Sequence, residues 1–147
     1  MSAAGLIACA LLFSTVFSQA PDAEAPATRS LRVTVVYQGA GAVDEAHRLF
    51  VQVFDTSYIG HEGVKPIVSR ALAGNRQTAA FELTGSPVYV AVFYDRAGAC
   101  SNDCAEAPSG APAALYGAQA GQADPIEIPR GEERAISVSF DDSIVMP

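Results

Sequence analysis

The sequence predicts an all-β protein: a seven-stranded antiparallel β-sandwich with one long loop. Three observations lead to this fold class. Short runs of β-branched and aromatic residues alternate with a period of two, turn-forming residues separate them, and no amphipathic stretch long enough for a stable helix is present. Because the chain has 147 residues and half of them are apolar, we expect one domain with a hydrophobic core of its own.

The predicted strands follow one another from residue 31 to residue 140. The first, LRVTVVY (31–37), places alternate apolar side chains on one face. The others are RLFVQVFD (48–55), IVSR (67–70), TAAFEL (78–83), VYVAVFY (88–94), IEI (126–128) and AISVSF (135–140). Since VYVAVFY is apolar throughout, it is expected to be covered on both faces. Only VDEAHRL (43–49) and PAALYGA (112–118) have a composition that favours a helical turn.

Two facing sheets are expected to bury one face of each strand. The predicted core consists of Val33, Val35, Val51, Val53, Phe81, Leu83, Val90, Val92, Ile136, Val138 and Phe140. In the second strand this arrangement turns Phe50 and Phe54 outward beside Gln52, so a further segment should cover them. The expected cover is the segment 96–125, which is irregular, rich in Ala, Gly and Pro, and long enough to suggest a binding loop or a packed lid.

The first twenty residues differ from the rest. From Ser2 to Pro21 the chain carries no charge, and its apolar stretch ends on small residues, which is typical of a secretory signal peptide. An uncleaved membrane anchor and lipidation at Cys9 are the alternatives. We therefore expect residues 1–20 to be a signal or anchor, 21–30 a linker and 31–142 the sandwich. The protein is expected to be exported, whether periplasmic, secreted or on the cell surface, and without a membrane span unless residues 1–20 are retained.

The net charge of −7 disfavours one class of partner. An acidic surface repels the phosphate backbone, so nucleic-acid binding is not expected.

Cys100 and Cys104 are the two cysteines that stay if the signal is removed. In an oxidising compartment an even pair within a loop predicts a disulfide, and closing so small a ring stabilises the fold by roughly 2 kcal/mol. A zinc site needs further ligands, which His47 and His61 do not supply at a suitable spacing. A redox centre is weakly supported because three residues, rather than two, separate the thiols.

Acidic and amide side chains surround the cysteines. Asp95, Asn102, Asp103 and Glu106 offer oxygen ligands of the kind that calcium prefers, although their spacing differs from that of the regular calcium loop. Solvated turn residues are the simpler interpretation. GAGAVD (39–44) follows a strand but has an aspartate where a dinucleotide-binding loop requires its third glycine.

The final third of the chain resembles a known group of domains. The strand VYVAVFYD, the turn at Gly98, an acid- and Asn-containing loop and APSGAPAALYG are similar to exported bacterial domains of the transthyretin-like, or carboxypeptidase-regulatory-like, β-sandwich group. The matching positions are Tyr89, Val90, Phe93, Asp95, Pro108, Tyr116 and Gly117. In this sequence Arg96-Ala97-Gly98 replaces the Asn-Gly run of the group, and the cysteine pair stands where a second glycine and acid cluster is usual. The resemblance implies a sandwich fold.

Together these observations predict an exported, non-catalytic module that is structural or binds a protein or glycan partner through the segment 96–125. Phe50, Phe54 and Tyr116 are the candidate binding surface. No cofactor is expected unless the acidic loop binds calcium, which would make the chain a calcium-dependent binding or adhesion module. A small hydrolase that uses His47 or His61 with nearby acids is the third alternative.

Overall fold

The computed structural model describes residues 28–118 and 121–147, and these residues form seven β-strands and no helix. The predicted signal or anchor, residues 1–20, and most of the predicted linker lie outside the described residues. The strands are β1 (Arg29–Tyr37), β2 (Leu49–Phe54), β3 (Val68–Leu72), β4 (Thr78–Leu83), β5 (Tyr89–Tyr94), β6 (Ala113–Leu115) and β7 (Glu133–Phe140).

The strands form two sheets, which confirms the all-β architecture. One sheet has three strands in the order β4-β1-β7, and the other has four in the order β3-β2-β5-β6. Every neighbouring pair is antiparallel except β1 and β7, which are parallel, with Val33 opposite Ile136. The prediction of a wholly antiparallel fold is therefore wrong for this pair. Parallel neighbours need a long connection, and β1 and β7 are the first and last strands of the described chain.

The main hydrophobic core lies between the two sheets. All eleven side chains predicted for this core are buried, so the period-two alternation identified the inner faces correctly. Tyr37, Tyr94 and Phe140 close one end of the core, where the Tyr37 ring centroid lies 4.5 Å from that of Tyr94 and 5.2 Å from that of Phe140. Burial of these large apolar and aromatic side chains is the main source of stability.

Two predicted elements differ from the structure. Residues 126–128 form only an isolated bridge between Ile126 and Val88, because the flanking Pro125 and Pro129 have no amide hydrogen for a ladder. Residues 113–115, within a segment predicted to favour a helical turn, instead form β6, because the edge of β5 offers backbone partners to them. As a result, β6 divides the predicted long loop into two shorter connections.

The segment after β7 adds to the four-stranded sheet. Residues 144–146 lie antiparallel beside residues 110–113, and Val145 forms a bridge with Pro112. The amide of Ala113 donates to the carbonyl of Ile144 at 3.0 Å, and the amide of Met146 donates to the carbonyl of Ala111 at 2.9 Å. These residues, which we call the C-terminal segment, therefore occupy a strand position next to β6.

The glycine-rich turn after β1 closes over two tyrosine hydroxyls. The hydroxyl of Tyr94 donates to the carbonyl of Ala42 at 2.8 Å, and the hydroxyl of Tyr37 donates to the carboxylate of Asp142. Gly41 has a φ of +128°, and a side chain there would meet the Tyr94 hydroxyl at 2.8 Å. The GAGAVD motif thus has a structural role, because glycine lets the turn approach the tyrosines closely.

Candidate functional site

The outer face of the four-stranded sheet, which points away from the main core, carries a second hydrophobic cluster. Phe50 of β2 and Phe93 of β5 stack there with their ring centroids 4.9 Å apart and an interplanar angle of 6°. Phe50 is 0% exposed. The cluster also includes Ala111 and Ala113, with Cys100, Cys104, Ala107 and Met146 packed against it. The segment 96–125 therefore covers the outward side of β2, as predicted, and the C-terminal segment contributes to the cover.

Cys100 and Cys104 lie at disulfide-bonding distance, with their sulfur atoms 2.09 Å apart, as the cysteine count predicted. Three side chains of the sheet and its adjoining turns hold the loop that this bond closes. Asp95 accepts hydrogen bonds from the amides of Ala99 at 3.0 Å and Cys100 at 2.8 Å. Arg48 donates to the carbonyl of Cys100 at 2.8 Å, and its guanidinium lies 5.5 Å from the centroid of the Phe50 ring.

Gln52, the middle residue on the outer face of β2, holds the other end of the loop. Its side chain is 5% exposed, and its amide nitrogen donates to the carbonyls of Cys104 and Ala105, both at 3.0 Å. A buried amide is stable only when it is hydrogen-bonded. The polar residue that the sequence places between two phenylalanines therefore has a clear structural role, which is to fix the chain that leaves the disulfide.

Three of the four candidate calcium ligands have hydrogen-bond partners within the protein. Both carboxylate oxygens of Asp95 accept from backbone amides. Asn102 accepts from Arg48, and Asp103 accepts from the hydroxyl of Ser101 at 2.9 Å, whereas Glu106 is exposed at the edge of a hollow described below. Within residues 28–118 and 121–147, no three His, Cys, Asp or Glu side chains are grouped so that they could hold a metal ion.

Beside the covered aromatic pair, the same sheet face opens into a cleft with two lobes, of which the larger is mainly apolar and the smaller also carries Glu62, Lys65 and Glu106. Its larger lobe has a volume of about 470 Å³ and its smaller lobe a volume of about 290 Å³. The floor of the larger lobe includes Ala91 and Ala113, whose small side chains leave room above the sheet. The lobes adjoin each other, since both are lined by Gln52, Ile59, Gly60, His61, Ala107 and Met146. A volume of this size fits a compact apolar group.

Four separate segments form the walls of the cleft. They are the turn around Ile59 to His61, the chain from Ala105 to Ala107 that follows the disulfide, the chain after β6 with Ala118 and Gly121, and the C-terminal segment. Ile144 and Val145 are 64% and 50% exposed at its edge. Exposed aliphatic side chains that continue into an apolar hollow are typical of a surface that binds a partner.

The structure separates the three residues predicted as a binding surface. Phe50 lies beneath the disulfide loop and is inaccessible. Phe54 is 3% exposed and lines the smaller lobe. Tyr116 is half-buried and packs against the main core. Phe54 is thus the only one of the three that lines the cleft. The cleft itself was not predicted from the sequence. The signal for it was Ala91, a small residue within a strand of large ones.

The two histidines lie at opposite ends of β2. Nδ1 of His47 lies 3.0 Å from a carboxylate oxygen of Asp44, in an exposed turn before the strand. His61 follows the strand and lines the cleft, where its ring meets that of Tyr58 edge-on at 5.6 Å. His47 lines neither lobe of the cleft, so the two histidines do not share this site.

A further hollow of about 370 Å³ lies on the outer face of the three-stranded sheet. It is lined by Arg32, Arg70, Glu82 and Glu133, among others. Because it is open and its charges have both signs, it does not select one class of ligand. We therefore regard the apolar cleft as the candidate site.

Comparisons with family models, with curated proteins and with solved structures give no match. In the described part of the chain, no helix is long and apolar enough to cross a membrane. The resemblance to the transthyretin-like group stays an interpretation of the sequence.

Proposed function

We propose that this chain is an exported, non-catalytic β-sandwich module of the transthyretin-like type, and that it binds an apolar segment of a protein partner in the cleft. The observation that supports this most strongly is the cleft itself, an apolar hollow of about 470 Å³ bordered by exposed Ile144 and Val145. Export is supported by the uncharged N-terminal stretch and by the bonded cysteine pair, since disulfides persist in oxidising compartments.

The lining of the cleft favours a protein partner over a glycan. Sugar hydroxyls require polar partners, and a binding site that buries them unpaired loses affinity. In the larger lobe, the donor nitrogen of Gln52 is already bonded to two backbone carbonyls, and most of the lining is contributed by Ala, Leu, Ile, Val and Met, whereas the charged Glu62, Lys65 and Glu106 line the smaller lobe. Apolar side chains of a protein segment match such a surface, and burial of each large one contributes about 1.5 to 3 kcal/mol.

The proposal can be tested with peptides selected from a random displayed library against the oxidised full-length chain. We expect enrichment of peptides with two or more large apolar residues. Ala107 lines both lobes, so Ala107→Trp should fill the cleft and weaken binding of the selected peptides at least about tenfold, which corresponds to about 1.4 kcal/mol.

Two further variants keep this test interpretable. Ala118→Trp fills the cleft from its exposed edge, so it should weaken binding even if Ala107→Trp fails to fold. Ala135→Trp introduces the same side chain at an exposed position of β7 on the opposite sheet, and it should bind as the wild type does. Selected peptides that bind both cleft variants with unchanged affinity would refute the proposed site.

A further inference from the structure

We propose that the disulfide between Cys100 and Cys104 is a redox-sensitive switch that controls the shape of the cleft, an inference that rests on the proposed function. The bond joins the turn that holds Cys100 to the cleft wall that begins at Cys104. The two sides differ in how firmly they are attached to the sheet.

The Cys100 side is fixed by both of its backbone polar groups. Its amide donates to the Asp95 carboxylate at 2.8 Å, and its carbonyl accepts from Arg48 at 2.8 Å. Asp95 is buried directly after β5, and Arg48 directly precedes β2. Since two neighbouring strands hold these side chains in place, Cys100 is a fixed point on the sheet.

The Cys104 side is attached more weakly, and it carries the cleft wall. Its carbonyl accepts from the Gln52 side chain at 3.0 Å and, at the long distance of 3.5 Å, from the hydroxyl of Ser69, and the Gln52 nitrogen is shared with the carbonyl of Ala105. Ala105, Glu106 and Ala107 then line the smaller lobe, and Ala107 also lines the larger one. The disulfide is therefore a second covalent connection, in addition to the backbone, between the fixed turn and the wall.

Both cysteines are partly exposed, so a dithiol reductant has access to them. One thiolate of the reductant attacks a sulfur of the disulfide and forms a mixed disulfide, and the second thiol of the reductant then displaces the protein sulfur. Two electrons and two protons reach the protein, which now holds two thiols, while the reductant becomes a disulfide. No other bond in the chain changes.

Reduction leaves the wall attached through the shared nitrogen of Gln52, the long hydrogen bond from Ser69, and packing on Phe50 and Phe93. Loss of a five-residue ring increases the chain entropy of the open state, which shifts the equilibrium between closed and open loop by about 30-fold. In the open state the stacked rings reach solvent and the cleft loses one wall. Affinity for an apolar segment is therefore expected to fall when the bond is reduced.

The test compares the oxidised full-length chain with the same chain treated with dithiothreitol, by subtilisin cleavage mapped by mass spectrometry. Cleavage within residues 99–107 should be about 30-fold faster after reduction, because the protease cuts the transiently opened loop, whereas the strands should stay intact. The double variant Cys100→Ser with Cys104→Ser should be cleaved like the reduced protein and should not respond to dithiothreitol. Because this variant retains Cys9, it also controls for any effect at that residue.

Equal cleavage of residues 99–107 in the two redox states would overturn the inference. Cleavage of all strands at the same increased rate would also overturn it, because the bond would then support the whole fold and not a local switch. A second measurement uses a peptide that binds the oxidised chain. Its affinity should weaken on reduction by up to about 30-fold, in proportion to the open population, and an unchanged affinity would overturn the control of the cleft. If no peptide binds the oxidised chain, the proposed function fails, while the cleavage rates still decide whether the loop opens.

Discussion

Replacing Phe50 by alanine tests whether the outer face of the four-stranded sheet is a second core. Phe50 is 0% exposed and stacks on Phe93 with a centroid distance of 4.9 Å. The Arg48 guanidinium lies 5.5 Å from its ring centroid. Truncation of a fully buried phenylalanine removes its transfer free energy and leaves a cavity, so the free energy of unfolding should fall by about 3 to 5 kcal/mol. A solvent-facing phenylalanine at the same position would cost about 0.5 kcal/mol or less.

The assay is urea unfolding followed by circular dichroism, with the slope of the unfolding free energy against urea compared between variants. An unchanged slope shows that the mutation acts on stability alone. Since small domains have only about 5 to 15 kcal/mol of stability, Phe50→Leu provides a milder variant, with an expected cost of about 1 to 2 kcal/mol. Tyr58→Ala is the control, because this aromatic residue is 58% exposed. A cost below about 1 kcal/mol for Phe50→Ala would refute the packed outer cluster.

Two further predictions concern the end of the two sheets that lies opposite the turn around Ile59 to His61. Gly41→Ala should lower the free energy of unfolding by about 1 to 3 kcal/mol in the same assay, because φ is +128° and the new methyl would meet the Tyr94 hydroxyl; an unchanged midpoint would contradict this. Hydrogen bonds from Tyr37 and from the Ala40 amide, together with Arg96, lower the pKa of Asp142. Its stabilising contribution is therefore present above the ordinary carboxyl pKa near 4 and is lost as the pH falls through the lowered value. Asp142→Asn should lose less stability on acidification than the wild type, and an equal loss would contradict the assignment.

Local sequence patterns were sufficient wherever one face of a strand lies in the main core. Val33 and Val35 in β1, and Ile136 and Val138 in β7, alternate with polar or small residues, and all four are buried. The apolar run of β5 likewise predicted burial on both faces. What the pattern does not encode is which strands become neighbours, and for this reason the parallel pairing of β1 with β7 was not predicted.

β6 and the C-terminal segment show why weak local signals mislead. Ala113 and Ala114 have low strand propensity, and the composition of their segment favours a helical turn. Their conformation is set by long-range partners, because the carbonyl of Pro112 accepts from Tyr94 and the amide of Ala113 donates to Ile144. Such partners are distant in the sequence, and a window of a few residues cannot reveal them.

The candidate site was only partly predictable for a related reason. Its cover was predicted, since Phe50 and Phe54 required one and the segment 96–125 was long enough to provide it. Its cleft was not, because segments far apart in sequence converge on it and none of them carries a motif. Most residues that line its larger lobe are ordinary apolar residues, whose role depends on what they face.

The alternation of size along β5 explains why one sheet face carries both a sealed cluster and an open cleft. On this face Phe93 lies opposite Phe50 and Ala113, whereas Ala91 lies opposite Gln52 and Leu115. The large ring at position 93 fills the space beneath the disulfide loop, and the methyl group at position 91 leaves the adjoining space empty. Gln52 lies between the two regions, and its side-chain amide fixes the chain that leaves Cys104. Since the same backbone hydrogen-bond ladder supports both regions, the difference between the packed cluster and the open cleft follows from the side-chain volumes at positions 93 and 91, together with the loop that covers Phe50 and Phe93.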